Sequence, residues 1–166
     1  IIMSKLYGIG DQQKAIIMVL MAFSNIIGAF ILGRLSDKLG AKKVFLFSSI
    51  GVILTLTMAF VSSDKIFLYL LALGGGLGRG SIYSAARALL IKISPPKKLG
   101  EYFGFYSTFQ RFASVTGPLL WGSILLLFKG MELMKYRIAG LSLIFMMIIG
   151  TLVLLKVSEK ASMVVN

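Results

Sequence analysis

The chain has no cysteine and no histidine. The first absence excludes disulfides and thiolate metal sites. The second removes imidazole as a ligand, a general base or a switch near neutral pH. Catalytic zinc, copper and Cys–His chemistry fall away with them. Acid is scarce as well: six Asp and Glu stand against 18 Lys and Arg, a net charge of +12. Only 14% of the 166 residues are charged and 57% are apolar, with a mean hydropathy of +0.90. Soluble domains carry about 25% charged and about 45–50% apolar residues. This composition argues against a soluble enzyme, a disordered tail and a nucleic-acid-binding module. The positive surplus reads instead as Lys and Arg at the water-facing ends of a membrane protein.

Long uncharged runs are what the sequence has in place of charge. A helix that crosses about 30 Å of hydrocarbon needs about 20 mostly apolar residues. Residues 15–33, 44–63 and 138–155 are free of charge. Residues 66–91 and 102–128 have spanning length but contain Arg79 and Arg87, and Arg111, respectively. Five transmembrane helices are therefore expected over 15–156, and no alternating strand pattern points to a β-barrel. Residues 1–14 form a stub too short to span, and residues 157–166 a tail. The first residue is Ile, so the chain is expected to be a piece of a longer one. If the connection 34–43 is cytoplasmic, so are 92–101 and the tail. That side then holds nine Lys and Arg against six on the other. The bias favours a cytoplasmic C-terminus.

Five helices and a stub suggest a six-helix half of the kind from which many secondary transporters are built. After the first helix the chain reads Gly33-Arg34-Leu35-Ser36-Asp37-Lys38-Leu39-Gly40-Ala41-Lys42-Lys43. This resembles the signature G-x-L-A/S-D-R/K-x-G-x-R/K-R/K of the major facilitator superfamily, which joins the second and third helices of each half. Gly33 lets two helix ends approach closely, and Gly40 permits a tight reversal. Asp37 offers an anion to a helix N-terminus or a buried arginine. Lys42 and Lys43 anchor the next helix at an anionic leaflet.

A second stretch narrows the resemblance. It runs Ser84-Ala85-Ala86-Arg87-Ala88-Leu89-Leu90, Pro95-Pro96, Glu101-Tyr102-Phe103-Gly104-Phe105-Tyr106, Arg111-Phe112-Ala113-Ser114 and Gly117-Pro118-Leu119-Leu120-Trp121-Gly122. It resembles the tenth and eleventh helices of the vacuole-effluxer-like branch, the autophagy-related amino-acid permeases and their bacterial relatives. The resemblance covers about residues 12–156. It implies an all-α membrane protein: helices eight to twelve of the C-terminal half, with the stub as the end of helix seven and an outer loop. It also implies a multi-pass transporter in the cell membrane if bacterial, or the vacuolar membrane if fungal. Such a transporter is not an enzyme and needs no cofactor. It would rock two halves around a midplane site for a small solute, an amino acid or small organic anion. Its partners would be lipid, the substrate and the N-terminal half, not nucleic acid. Arg79 and Arg111 depart from the branch, which more often has a neutral polar residue and Lys at those positions.

Arginine inside a bilayer is costly and needs a reason. Arg79 and Arg111 lie at middle depth on neighbouring helices, and none of the five segments contains Asp or Glu. One expectation is that both face a central cavity and bind a carboxylate or another anionic group, which guanidinium suits. The other is that they pair with acids elsewhere or with backbone carbonyls. Arg87 lies close enough to the cytoplasmic face to snorkel, or else it latches to Asp37 as a gate. Gly76, Gly80, Ser84 and Ala88 form a close-packing stripe, and Arg79, Tyr83 and Arg87 the stripe beside it. Ser107, Arg111, Ser114 and Pro118 share one face of the next helix. Tyr106, Gln110 and Trp121 are further cavity candidates, although plain packing is the commoner role of an aromatic here. Asn25 either makes an interhelical hydrogen bond or lines the pathway. A proton relay would need the other half, since this one has no intramembrane carboxylate. A second function class is a non-transporting membrane scaffold or assembly subunit, or a truncated remnant of a transporter.

Overall fold

The computed structural model describes residues 7–62 and 64–158. They form five long helices in chain order: α1 (Asp11–Leu39), α2 (Ala41–Val61), α3 (Ile66–Ile93), α4 (Leu99–Leu127) and α5 (Met134–Lys156). Among the described residues there is no strand. Parts of the expected stub and tail, 1–6 and 159–166, lie outside the described residues.

Four of the helices, α1, α2, α3 and α5, are long and apolar enough to cross a membrane. The fourth helix, α4, has the length, at 29 residues, but Glu101, Gln110 and Arg111 dilute its apolar character. The outer faces are apolar and open: Phe47 is 72% exposed and Phe145 63%. In water such faces would be a large unfavourable surface; against lipid or another protein half they are at home.

The helix ends differ from those expected. The first helix begins at Asp11, before residue 15, and runs on through the charged stretch to Leu39. What the sequence suggested as a ten-residue connection is a break at one residue, Gly40. Its φ of 94° and ψ of 137° suit glycine alone, and its N–H still donates to the Ser36 carbonyl at 3.1 Å. Charged residues do not stop a helix once it has left the hydrocarbon; only the backbone reversal does. Asp64 starts α3, accepting from the Ile66 N–H at 3.3 Å. Pro95 and Pro96 separate α3 from α4, as their fixed φ and missing N–H require.

The central helix is α3, with α1 on one side and α2 on the other. On the far side of α2 lies α5, while α4 sits at the margin against α5 and buries no residue. Small residues set the tightest crossing. A Cβ on Gly28 would run into the Leu77 backbone, and one on Gly80 into the backbone of Asn25. One on Gly76 would stand 2.7 Å from the Met21 carbonyl oxygen. One turn further, Gly33 faces Ser84, whose hydroxyl would lie 2.7 Å from a Cβ there. The expected stripe of Gly76, Gly80 and Ser84 is thus the face on which α1 packs. On the other side, Ser81 shares a hydrogen bond with Ser48 of α2 and donates to the Gly78 carbonyl at 2.8 Å.

One irregularity interrupts α3. Residues Leu71–Gly75 form a π-helical turn just before Gly76. Such a turn adds a residue to the helix and rotates everything after it. The rotation fixes which stripe of α3 meets α1 and which turns toward α4.

Candidate functional site

The groove between α3 and α4 has a volume of about 820 Å³. From α3 it is lined by Arg79, Ile82, Tyr83 and Ala86, two pairs four residues apart. From α4 come Tyr106, Ser107, Phe109, Gln110, Arg111, Ala113 and Ser114, and from α2 Phe45. Helical spacing explains the selection: the face of α3 that carries no glycine is the one left for the groove. The Arg79 guanidinium stands 5.8 Å from the Tyr83 ring centre, within cation–π range. Among the described residues no carboxylate lines the groove, and neither Arg79 nor Arg111 forms an ion pair. Two cations and several aromatic faces therefore share one open cleft without a protein counter-ion.

Two smaller cavities border it. One of about 550 Å³ is lined by Ser107, Thr108, Arg111, Phe112 and Val115, so Arg111 stands between the two spaces. The other, about 370 Å³, lies between α2, α3 and α5 and is almost wholly apolar. Phe45 and Ile82 form the wall it shares with the groove.

Of the residues singled out in the sequence, the structure brings Arg79, Tyr83, Tyr106, Ser107, Gln110, Arg111 and Ser114 together on this groove. Asn25 is not among them. It is half-buried at the α1–α3 crossing, where its backbone meets Gly80. Trp121 lies elsewhere as well, its ring centre 6.2 Å from that of Phe60 on α2. Pro118 does not line the groove, and α4 runs unbroken as a helix past it. Phe45, Ile82 and Phe109 are the lining residues that the sequence reading passed over. They look like any other apolar residue of a spanning run, and only the packing of α2 beside α3 identifies them.

The signature region lies at one end of the bundle. Gly33 packs on Ser84, and Arg34 stacks over Phe30 at 3.9 Å. The Lys42 ammonium donates to the Leu155 carbonyl at 2.8 Å, a cation at the C-terminal end of α5. This bond pulls the signature turn to the same end as the close of α5. Lys43 is exposed. Asp37 and Arg87 are both exposed, and no ion pair joins them. The latch expected between them is absent from this conformation, and Arg87 stands as an exposed cation one turn from Lys92.

The sequence matches those of known transporters. The family described as Major Facilitator Superfamily matches residues 1–165. An uncharacterized MFS-type transporter, YxiO, of Bacillus subtilis is 26% identical over 98% of this chain and 38% of its own length. The class H tetracycline resistance protein of Pasteurella multocida is 28% identical over 91% of this chain and 37% of its own length. The multidrug resistance protein MdtG of Dickeya zeae is 33% identical over 61% of this chain and 25% of its own length. The chain thus spans less than two-fifths of the length of these relatives. No solved structure matches it. The signature turn at Gly40, the all-helical bundle and the match along nearly all of its length make this chain a member of the Major Facilitator Superfamily, an integral membrane transporter family.

Proposed function

We propose that this chain forms the second half of a secondary active transporter that exports an amphiphilic organic anion by alternating access. The carrying observation is the α3–α4 groove, where Arg79 and Arg111 stand without a carboxylate partner among aromatic and apolar walls. Guanidinium recognises carboxylates and similar anions with paired hydrogen bonds. Phe45, Tyr83, Tyr106 and Phe109 offer flat faces to a ring system. Unpaired charge at membrane depth is best neutralised by the substrate itself.

Export is suggested by the relatives, whose names speak of tetracycline and multidrug resistance and, in some, of efflux pumps. Those names favour a broader class than the amino acids implied by the vacuole-effluxer resemblance. An aromatic amino acid remains inside that class. The end of the bundle carrying Gly40, the 92–98 turn and the close of α5 is read as cytoplasmic, because it gathers the larger share of Lys and Arg. Gly33, Asp37, Gly40, Lys42, Lys43 and Arg87 would then form the cytoplasmic hinge about which this half rocks.

The test is uptake of fluorescent aromatic carboxylates into everted vesicles bearing the full-length transporter. Arg79→Gln and Arg111→Gln should each raise KM about tenfold or more, with Lys at either position retaining part of the affinity. Unchanged KM in both Gln variants would overturn the binding role. Absence of any transport by the full-length protein would favour a scaffold or remnant.

A further inference from the structure

The cavity of about 370 Å³ between α2, α3 and α5 has no part in the chemistry of the groove. Phe45 and Ile82 stand as a wall between the two. On α5 its lining runs from Met147 to Val157, about 15 Å along the axis. Gly150 and Val153 of that lining are exposed, so the cavity is a slot open on the surface of the bundle. Two hydroxyl-bearing residues line it, Ser49 and Thr151. Ser49 is buried, and the Thr151 hydroxyl already donates to the Met147 carbonyl at 2.8 Å. A polar solute finds almost nothing to bind here. A long apolar slot along a spanning helix suits hydrocarbon.

The slot ends at cations. On α2 its lining starts two residues after Lys43, and on α5 it ends at the residue after Lys156. The bond from the Lys42 ammonium to the Leu155 carbonyl ties the two helices together at this mouth. Lys43 and Lys156 are exposed and form no ion pair among the described residues. No carboxylate lines the slot. Hydrocarbon walls with ammonium groups at one end complement a molecule that has an acyl chain and an anionic head. Basic pockets between spanning helices hold anionic lipid headgroups in this way. A substrate entering from the groove would first have to displace Phe45 and Ile82.

We propose that this slot is a site for one anionic phospholipid, with an acyl chain lying along α5 from Met147 to Val157 and the phosphate at Lys43 and Lys156. The lipid braces α2 against α5 beside the signature turn. The site stands whatever the groove binds.

The test uses the full-length transporter released from nanodiscs of mixed phosphatidylcholine and phosphatidylglycerol. Native mass spectrometry counts the retained lipids, and melting in detergent is followed as either lipid is added. A lipid that binds the folded state raises its melting temperature. Gly150→Leu grows a side chain into the slot from a position where a Cβ meets nothing within 4 Å. It should retain one phosphatidylglycerol fewer than the wild type. Gly104→Leu on α4, equally open, should retain as many as the wild type. The double variant Lys43→Gln, Lys156→Gln should need about tenfold more phosphatidylglycerol for the same melting shift. Its response to phosphatidylcholine should not change, which also reports that it is folded. If Gly150→Leu does not melt cooperatively, the lysine variant decides alone. The proposal is overturned by equal retention in wild type and a folded Gly150→Leu, by equal retention of the two lipids in the wild type, or by an unchanged response in the lysine variant. It is also overturned if 3-phenylpropionate expels the retained lipid, since the slot would then be an annex of the groove.

Discussion

The α-carbon of Gly80 lies against the backbone of Asn25, so closely that a Cβ at position 80 would occupy the space of the Asn25 carbonyl oxygen. This contact holds α3 on α1 and leaves the adjoining stripe of α3, with Arg79 and Tyr83, facing the groove with α4. Gly80→Val should therefore lower the thermal stability of the full-length transporter in detergent, by about 1–3 kcal/mol or more. Gly104→Ala on α4, where a Cβ meets nothing within 4 Å, is the control and should be neutral. Equal melting behaviour of the two variants would remove the crossing from the list of constraints.

Gly40 carries the reversal between α1 and α2 in a backbone region that side chains avoid. Gly40→Ala should cost about 1–3 kcal/mol of stability. Gly40→Asn should cost about as much, because Asn tolerates positive φ chiefly in the left-handed helical region, far from the ψ of 137° here. Thermal melts of both variants check this.

Asp37 and Arg87 are unpaired in this conformation. Asp37→Asn and Arg87→Gln should then be additive in stability, within about 0.5 kcal/mol. A coupling energy beyond that range in the same state would restore the latch.

The Ser94 hydroxyl is 2% exposed as a residue and has no hydrogen-bond partner. Burying a hydroxyl without a partner is unfavourable. Ser94→Ala should be neutral or stabilising, by up to about 1 kcal/mol. A clear loss of stability would mean that the hydroxyl is satisfied in the assembled transporter.

Tyr7 donates to the Ala59 carbonyl and lies 3.3 Å from that of Ser62, tying the start of the described chain to the end of α2. Burial pushes its hydroxyl above the ordinary value of 10.0, and nearby Arg137 partly opposes this. The folded state holds the proton more tightly than the unfolded chain. Its contribution is therefore full below pH about 10 and is lost as the pH rises through and beyond that value. Melts between pH 9 and 11 should fall more steeply for wild type than for Tyr7→Phe.

The sequence by itself determined the class of this protein. Uncharged runs of spanning length require helices in a bilayer, because only internal hydrogen bonding satisfies the backbone there. The residues around Gly40 also marked the turn and the family. The small-residue stripe of α3 was legible from its four-residue spacing, and so was the charged stripe beside it. Spacing also put Ser107, Arg111 and Ser114 on one face of α4, since a helix repeats every 3.6 residues.

What spacing could not determine was which faces meet. Asn25 was open between an interhelical hydrogen bond and the pathway, and spacing could not show that its backbone meets Gly80 at the α1–α3 crossing. Trp121 was open between lining the cavity and plain packing, and it packs against Phe60. Phe45 and Ile82 carried no signal at all, yet they wall the groove. The π-helical turn at Leu71–Gly75 also gave no clear mark, although it sets the phase of everything after it in α3. Periodicity is a property of one helix. The groove is a property of three, and only their relative rotation and contact, set for α3 by its backbone-close glycine crossings, brought Arg79 and Arg111 to one cleft.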